Sequence, residues 1–360
     1  MAITLAEASK LSNDALLSGV IDNVCKDSPV LQIMPFVEIV GNGLTYNREK
    51  TLPTVGWYDP NDPWSASQPE FDQYTAGLKI IGTNADVDNF IKATRSNLQD
   101  VQVSVVESAA KSVRHEFEKT FIDGLGTVGA KDFTGLDVLM PNHAIWVADT
   151  VYAVGDKCRK VAGFNGYEYE VTAIAGDFKS HATTEPVWPI VVGATIVDDQ
   201  VTWICNRSYL VSMGVNGASL TFSKLDELMD KVQGGSPDLV LMSKRSMRKL
   251  KDLARAAGIF LYTTHDNFGK PIELYNGVPV AASDWILDTY TQGSSSVASC
   301  IYAFQMGEGA LCGLSSPGLL TAEKVGQLEG YDAMRTRIKW YVGMALFSKV
   351  KAARLLGVLD

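Results

Sequence analysis

The sequence has no long apolar run. No stretch approaches the roughly 20 apolar residues that a membrane-spanning helix requires, so no membrane partner is expected. The opening, MAITLAEASKLSNDALLSGVID, lacks the basic start and unbroken apolar block of a secretory signal, because Glu7, Lys10, Asn13 and Asp14 interrupt it. Synthesis in a cytoplasm is therefore expected. An excess of positive charge is also missing. Lys and Arg number 32 against 41 Asp and Glu, a net charge of −9. A free nucleic-acid binder is more often basic. An acidic balance suits a soluble protein, or a wall that must not stick to polyanions. Cysteine is sparse: Cys25, Cys158, Cys205, Cys300 and Cys312 form no CxxC pair, and their number is odd. Buried free thiols are the expectation. Cys158 and Cys205 lie in one β-rich region and are predicted to be neighbours in space.

Catalytic signatures are equally scarce. There is no glycine loop between a strand and a helix and no GxSxG elbow. The four histidines, His115, His143, His181 and His265, are far apart and show no metal-ligand spacing. TNADVDNF places Asn84, Asp86 and Asp88 at alternate positions, as a calcium loop begins, but lacks the glycine and closing glutamate such a loop needs. The expectation is a non-enzyme with no cofactor and no metal.

What is present is core and pattern. The chain has 360 residues, 46% hydrophobic, enough for two or three domains. Residues 4–24 carry apolar positions at helical spacing, with Thr4 and Glu7 as a capping box. From 36 to 90 the chain reads as strands around an irregular centre. FVEIVGNGLTYNREKTLP gives a strand, a turn at Gly41-Asn42-Gly43 and a second strand, and AGLKIIGTNADVDNFI a further one. Between them lie Pro53, Pro60, Pro63, Pro69, Trp57 and Trp64. Eight acidic residues and three basic ones (Arg48, Lys50, Lys79) fall between Glu38 and Asp88. This predicts a long acidic hairpin with too few apolar residues to fold alone, which needs a partner surface. Residues 97–124 predict a helix of roughly 40 Å, with Leu98, Val101, Val105, Ala109, Val113, Phe117 and Phe121 three and four apart.

The stretch TEPVWPIVVGATIVDDQVTW, 184–203, belongs to a region of strand and turn signals over about 142–208. Its aromatics, Trp146, Tyr152, Tyr167, Tyr169, Trp188 and Trp203, fit either sugar stacking or the core of a small β module. The core reading is favoured, because Trp203 alternates with Val201 as inward strand residues do. Farther on, SLTFSKLDELMDKV predicts a helix capped by Thr221, PDLVLMS a buried strand, and SKRSMRKLKDLARAAG a basic helix ended by Gly258. IELYNGVPVAASD predicts a strand with a turn, and ASCIYAFQMGEGALCGLS a strand pair around Gly307-Glu308-Gly309. DAMRTRIKWYVGMALFS alternates as a strand does. On the basic helix, Arg245 and Arg248 are candidates for contact with nucleic acid or an acidic neighbour subunit. A solvated or acid-paired face is the favoured reading.

The order of these parts resembles the major capsid protein of tailed bacteriophages, the Hong Kong 97-type fold. LAEASKLSNDALLSGVIDNVCKDSPVLQIMPF, LTFSKLDELMDKVQGGSPDLVLMSKRSMRKLKDLAR, YNGVPVAASDWI with IYAFQMGEG, and RIKWYVGMALFSKVKAARLLGV carry the likeness. It implies an α+β chain: an N-terminal arm at 1–35, an extended hairpin loop at 36–90 and a peripheral domain with its spine helix at 91–141. An inserted β module at 142–208, an axial domain at 209–317 and a returning peripheral strand at 318–360 follow. The 142–208 stretch itself resembles small carbohydrate-binding-like modules of phage structural proteins, which project outward and clasp neighbours or touch cell surfaces.

The implied function is self-assembly, as hexamers and pentamers, into an icosahedral shell around double-stranded DNA. Assembly would take place in a bacterial host's cytoplasm, and the mature location would be the virion. Implied partners are a separate scaffolding protein, portal and decoration proteins, and packaged DNA through non-specific contacts. Lys50, Trp57, Trp64, Arg245 and Arg248 are the candidate intersubunit contacts. Trp146, Tyr167, Trp188 and Trp203 are the module's candidate core or surface aromatics. Some relatives join a hairpin lysine to a neighbour's asparagine. Lys50 lies in the matching element, but no asparagine or acid is identified for it. The alternatives are an encapsulin-like nanocompartment shell and a glycan-binding adhesin.

Overall fold

A computed structural model of the chain describes residues 29–89, 98–127, 129–161, 164–258, 262–265, 271–330 and 332–360. The helix predicted over 4–24, and Cys25, lie outside the described residues. In chain order come α1 (Pro29–Ile33), β1 (Phe36–Glu38), β2 (Gly43–Thr51), β3 (Glu70–Gly77), β4 (Lys79–Asp88), α2 (Leu98–Asp123) and α3 (Leu136–Leu139). Then come β5 (Lys157–Cys158), β6 (Tyr167–Ile174), β7 (Thr195–Asp198), β8 (Val201–Arg207), β9 (Leu210–Ser212), α4 (Phe222–Lys231), β10 (Leu239–Met242) and α5 (Lys244–Ala256). The last elements are β11 (Tyr262–His265), β12 (Pro271–Tyr275), β13 (Val278–Ala282), β14 (Tyr290–Gln292), β15 (Ser295–Phe304), β16 (Leu311–Gln327), β17 (Ala333–Leu346) and β18 (Ala352–Val358).

The described residues form two compact units, one drawn from 29–135 and 307–348, the other from 136–306 and 349–360. In the first, β1, β16, β17 and β4 form a four-stranded sheet in that order. The period-three/four stripe of α2 supplies Val113, Phe117 and Phe121, all buried. Phe117 meets Trp340 of β17 at 5.1 Å between ring centroids, Phe133 at 5.6 Å and Phe36 of β1 at 6.2 Å. The predicted hairpin is present as β2 paired antiparallel with β3, from Gly43↔Gly77 to Thr51↔Glu70. β1 is not part of this hairpin. β1 runs parallel to β16, with Phe36 opposite Gly313. The apolar face of so short a strand is buried only inside a sheet that already exists.

In the second unit an eight-stranded sheet follows the path β11-β12-β13-β10-β15-β18-β9, with β14 on β15. β10 and β18 are buried along their whole length. That fits the continuous apolar runs LVLM and AARLLGV better than alternation would. Helix α4 starts where Thr221 accepts the Lys224 amide, and α5 where Ser243 accepts the Ser246 amide. Asn276 and Gly277, both at positive φ (49° and 82°), turn β12 into β13.

The strand pair predicted around Gly307-Glu308-Gly309 is corrected here. Both strands exist, but β15 joins the eight-stranded sheet and β16 the four-stranded one. Local strand propensity does not say which sheet a strand enters. β16 spans residue 317, with a register shift against β17 between Ser315 and Leu320.

Candidate functional site

Three surfaces hold the residues singled out from sequence. The first is the β2–β3 hairpin. Its base is anchored within its own unit. The Tyr46 hydroxyl donates to the Leu346 carbonyl at 3.1 Å, and Arg48 Nε to that of Phe347 at 2.8 Å. The Arg48 guanidinium also lies 4.1 Å from the Tyr74 ring centroid. Ile39, Cys312, Leu314 and Ala345 form the buried cluster beneath, with Leu44, Tyr46 and Ala76 packed on it. Burial pushes the Cys312 thiol up to about 11, which leaves it an inert core residue.

Beyond Thr51 and Glu70 the strands end. From 52 to 70 every residue is exposed except the half-buried Tyr58. This tip is nonetheless ordered by its own contacts. Tyr58 stacks on Trp64 at 4.4 Å, the Thr54 amide donates to Ser67 Oγ at 2.7 Å, and the Asp59 amide donates to Asp62 at 2.9 Å. Trp57 is fully exposed at 103%, and Val55 (91%) and Trp64 (81%) nearly so. Lys50 lies on β2, and its side chain is outside the described residues.

The second surface is α5. Its cations are largely paired within the same unit: Lys244 with Asp284 (2.5 Å), Arg245 with Asp288 (3.5 Å), Lys251 with Glu273 (2.5 Å) and Arg255 with Asp252 (2.8 Å). Arg245 also donates to the Val297 carbonyl at 2.8 Å. Arg248 is exposed. Asn84 and Asp86, read as a weak calcium motif, sit on β4 and accept from Arg337 and, bidentately, Arg335.

The third is the β-rich region. Strands β5-β6-β8-β7 form a four-stranded sheet. Trp146, Trp188 and Trp203 are buried at 5, 7 and 0% exposure, in one cluster with Cys158, Tyr169, Val171, Val201 and Cys205. Tyr167 is half-buried against it. The polar ends of these rings are satisfied internally. Trp146 Nε1 donates to Asp198 at 2.8 Å, Trp188 Nε1 to Glu185 at 2.7 Å and the Tyr169 hydroxyl to the Pro189 carbonyl at 2.9 Å. Cys158 and Cys205 share this core as free thiols. Burial raises both thiol pKa values. Fewer residues are extended than the sequence predicted. The stretch 184–194 carries no strand, and its Pro186, Pro189 and Gly193 break the ladder.

One buried group escaped the sequence reading. Arg354, in the apolar run of β18, is 3% exposed. It pairs with Asp137 at 2.8 Å and donates to the Met140 carbonyl at 2.9 Å. The Tyr290 hydroxyl donates to the same Asp137 at 2.8 Å, and that of Tyr302 donates to it as well. This network fastens α3 to the eight-stranded sheet.

No family model and no curated protein matches the sequence. Solved structures do match, over nearly the whole chain. The chain of the holo-SrpI encapsulin complex from Synechococcus elongatus PCC 7942 superposes with a TM-score of 0.55 at 15% identity, covering 99% of this chain and 96% of that one. The capsid of an empty GTA particle gives 0.54 at 15% identity, covering 92% and 96%. A chain of Mycobacterium phage Adephagia gives 0.51 at 12% identity, covering 100% and 99%. The chain thus carries the α+β fold of Hong Kong 97-type capsid shells.

Proposed function

We propose that this chain is a major capsid protein, which self-assembles into the icosahedral shell around the double-stranded DNA of a tailed phage. The observation that carries this reading is the β2–β3 hairpin, on a fold shared with shell proteins. Its base is anchored while its tip holds Trp57, Val55 and Trp64 in water. Covering two such rings removes roughly 300–500 Å² from water, worth about 8–12 kcal/mol gross at ~25 cal/mol/Å². That is comparable to the cost of joining two subunits. A second copy of the chain supplies the cover in a closed shell, and several such contacts per subunit act together.

In this reading residues 36–90 are the intersubunit loop, 142–208 an outward-facing inserted module, and 209–317 the region around the capsomer axis. Scaffolding, portal and decoration proteins are the partners, with DNA held by non-specific contacts. The module's buried tryptophans support a core role, so sugar stacking on them is not part of the proposal.

Electron microscopy of particles from co-expression with neighbouring genes tests it. Closed shells tens of nanometres wide are expected, and only monomers or small oligomers would refute it. A second reading, an encapsulin-like compartment, is favoured by the match to the encapsulin chain over 99% of this one. That span includes the β-rich region, which therefore does not separate the two readings. Particle contents do: nucleic acid in one case, cargo protein in the other.

A further inference from the structure

A cavity of about 270 Å³ opens where the β-rich region meets β9 and the β14–β15 turn. Its walls include His143, Arg159, Lys160, Phe164, Ser212 and Gln292, and no Asp or Glu. Arg159 is rigidly placed. It follows the buried Cys158 of β5, and its backbone bonds the neighbouring segment at both ends, with Trp146 N to Arg159 O at 2.9 Å and Arg159 N to Ala144 O at 3.0 Å. Its Nε is buried and has no hydrogen-bond partner among the described residues.

Nearby carboxylates have partners other than Arg159. Glu168 pairs through Oε1 with Lys157 at 3.3 Å, while its buried Oε2, 3.5 Å from His143, has no hydrogen-bond partner among the described residues. Glu185 accepts from the Val161 amide and the Trp188 indole. Burial alone lowers the Arg159 pKa, with no opposing charge to restore it. Arg159 as a whole is half-buried; a guanidinium partly withdrawn from water without a counter-charge is costly, and its planar fork matches carboxylate and phosphate oxygens.

We propose that this cavity is a binding site for an oxyanion, a phosphate or carboxylate group on a small ligand, held by Arg159 and Lys160. The site does not depend on the capsid reading, and neither result below bears on that reading.

The test is calorimetric titration of the full-length chain with sodium phosphate and, separately, sodium glucuronate, against sodium chloride of equal ionic strength. Saturable one-to-one binding of at least one anion is expected. Phosphate alone assigns a phosphate ligand, glucuronate alone a sugar acid, and both assign the oxyanion group itself. Arg159→Met and Lys160→Gln should each weaken binding at least tenfold. Arg159→Met should also raise Tm in chloride, since an unpaired charge is removed, and abolish the Tm shift caused by the anion. No saturable binding of either anion would overturn the proposal. So would unchanged affinity in both variants, or a fall in Tm for Arg159→Met in chloride, which would mark Arg159 as a structural residue.

Discussion

Trp203 and Trp57 are the same side chain in opposite surroundings, 0% and 103% exposed. Trp203→Ala should therefore cost about 3–5 kcal/mol, read as a lower urea midpoint for the unit that contains it. Trp57→Ala should leave the free subunit within about 0.5 kcal/mol of the parent and still reduce shell yield. His143 adds a pH dependence. Burial, outweighing Glu168, holds its pKa below the ordinary 6.5. The folded chain keeps this ring neutral while the unfolded chain takes up a proton near pH 6.5. Its contribution to stability is thus full above pH 6.5 and lost as pH falls below it. In anion-free buffer, His143→Gln should flatten the decline of Tm just below pH 6.5. Arg354 is the residue that sequence could not reveal, since one Arg in an apolar run reads as a strand end. Only the fold brings Asp137 to it from 217 positions away. Arg354→Met should cost about 3–5 kcal/mol by stranding Asp137, and Asp137→Asn on that background should recover part of the loss.

Elements were legible where their cause is local. The α2 stripe, the Thr221 cap, the LVLM strand and the Asn276-Gly277 turn each need only neighbours in sequence. Sheet membership was not legible, because β1 finds β16 and β15 finds β18 across long separations. The β1 docking has a sharp requirement. A Cβ on Gly313 would stand far inside van der Waals contact with the Phe36 ring, so Gly313→Ala should expel that ring from its place against Trp340. Loss of Tm by several degrees, with near-ultraviolet circular dichroism changed at the aromatic bands, is the expected readout. At the hairpin, removing Trp57 to Pro69 should leave soluble capsomers that fail to close. Normal shells from that variant would show that the tip does not bridge subunits.

For the whole molecule, the candidate surfaces were partly legible: the tip's two tryptophans were marked from sequence, while the cavity beside Arg159 was not. A cavity is made by segments, here near 143, 159, 212 and 292, that no sequence window contains. Among the described residues, the cluster around Trp203 draws only on the β-rich region. Replacing 142–208 by a short Gly/Ser linker should therefore leave a soluble chain that still assembles into less robust particles. Loss of all soluble protein would show that the rest of its unit depends on this sheet.

The anchoring of Tyr46 to Leu346, residues 300 positions apart, has a consequence for biosynthesis. At ~5–20 residues per second, a ribosome needs roughly 15–60 s to pass from one to the other. Throughout that interval the hairpin's strands exist without the sheet that holds them, and the eight-stranded sheet still lacks β18, which joins β15 to β9. On a polysome the nascent chains are crowded, each with an unanchored aromatic loop. The loop can be seated only once the surface that holds it, among the last parts to emerge, has been made.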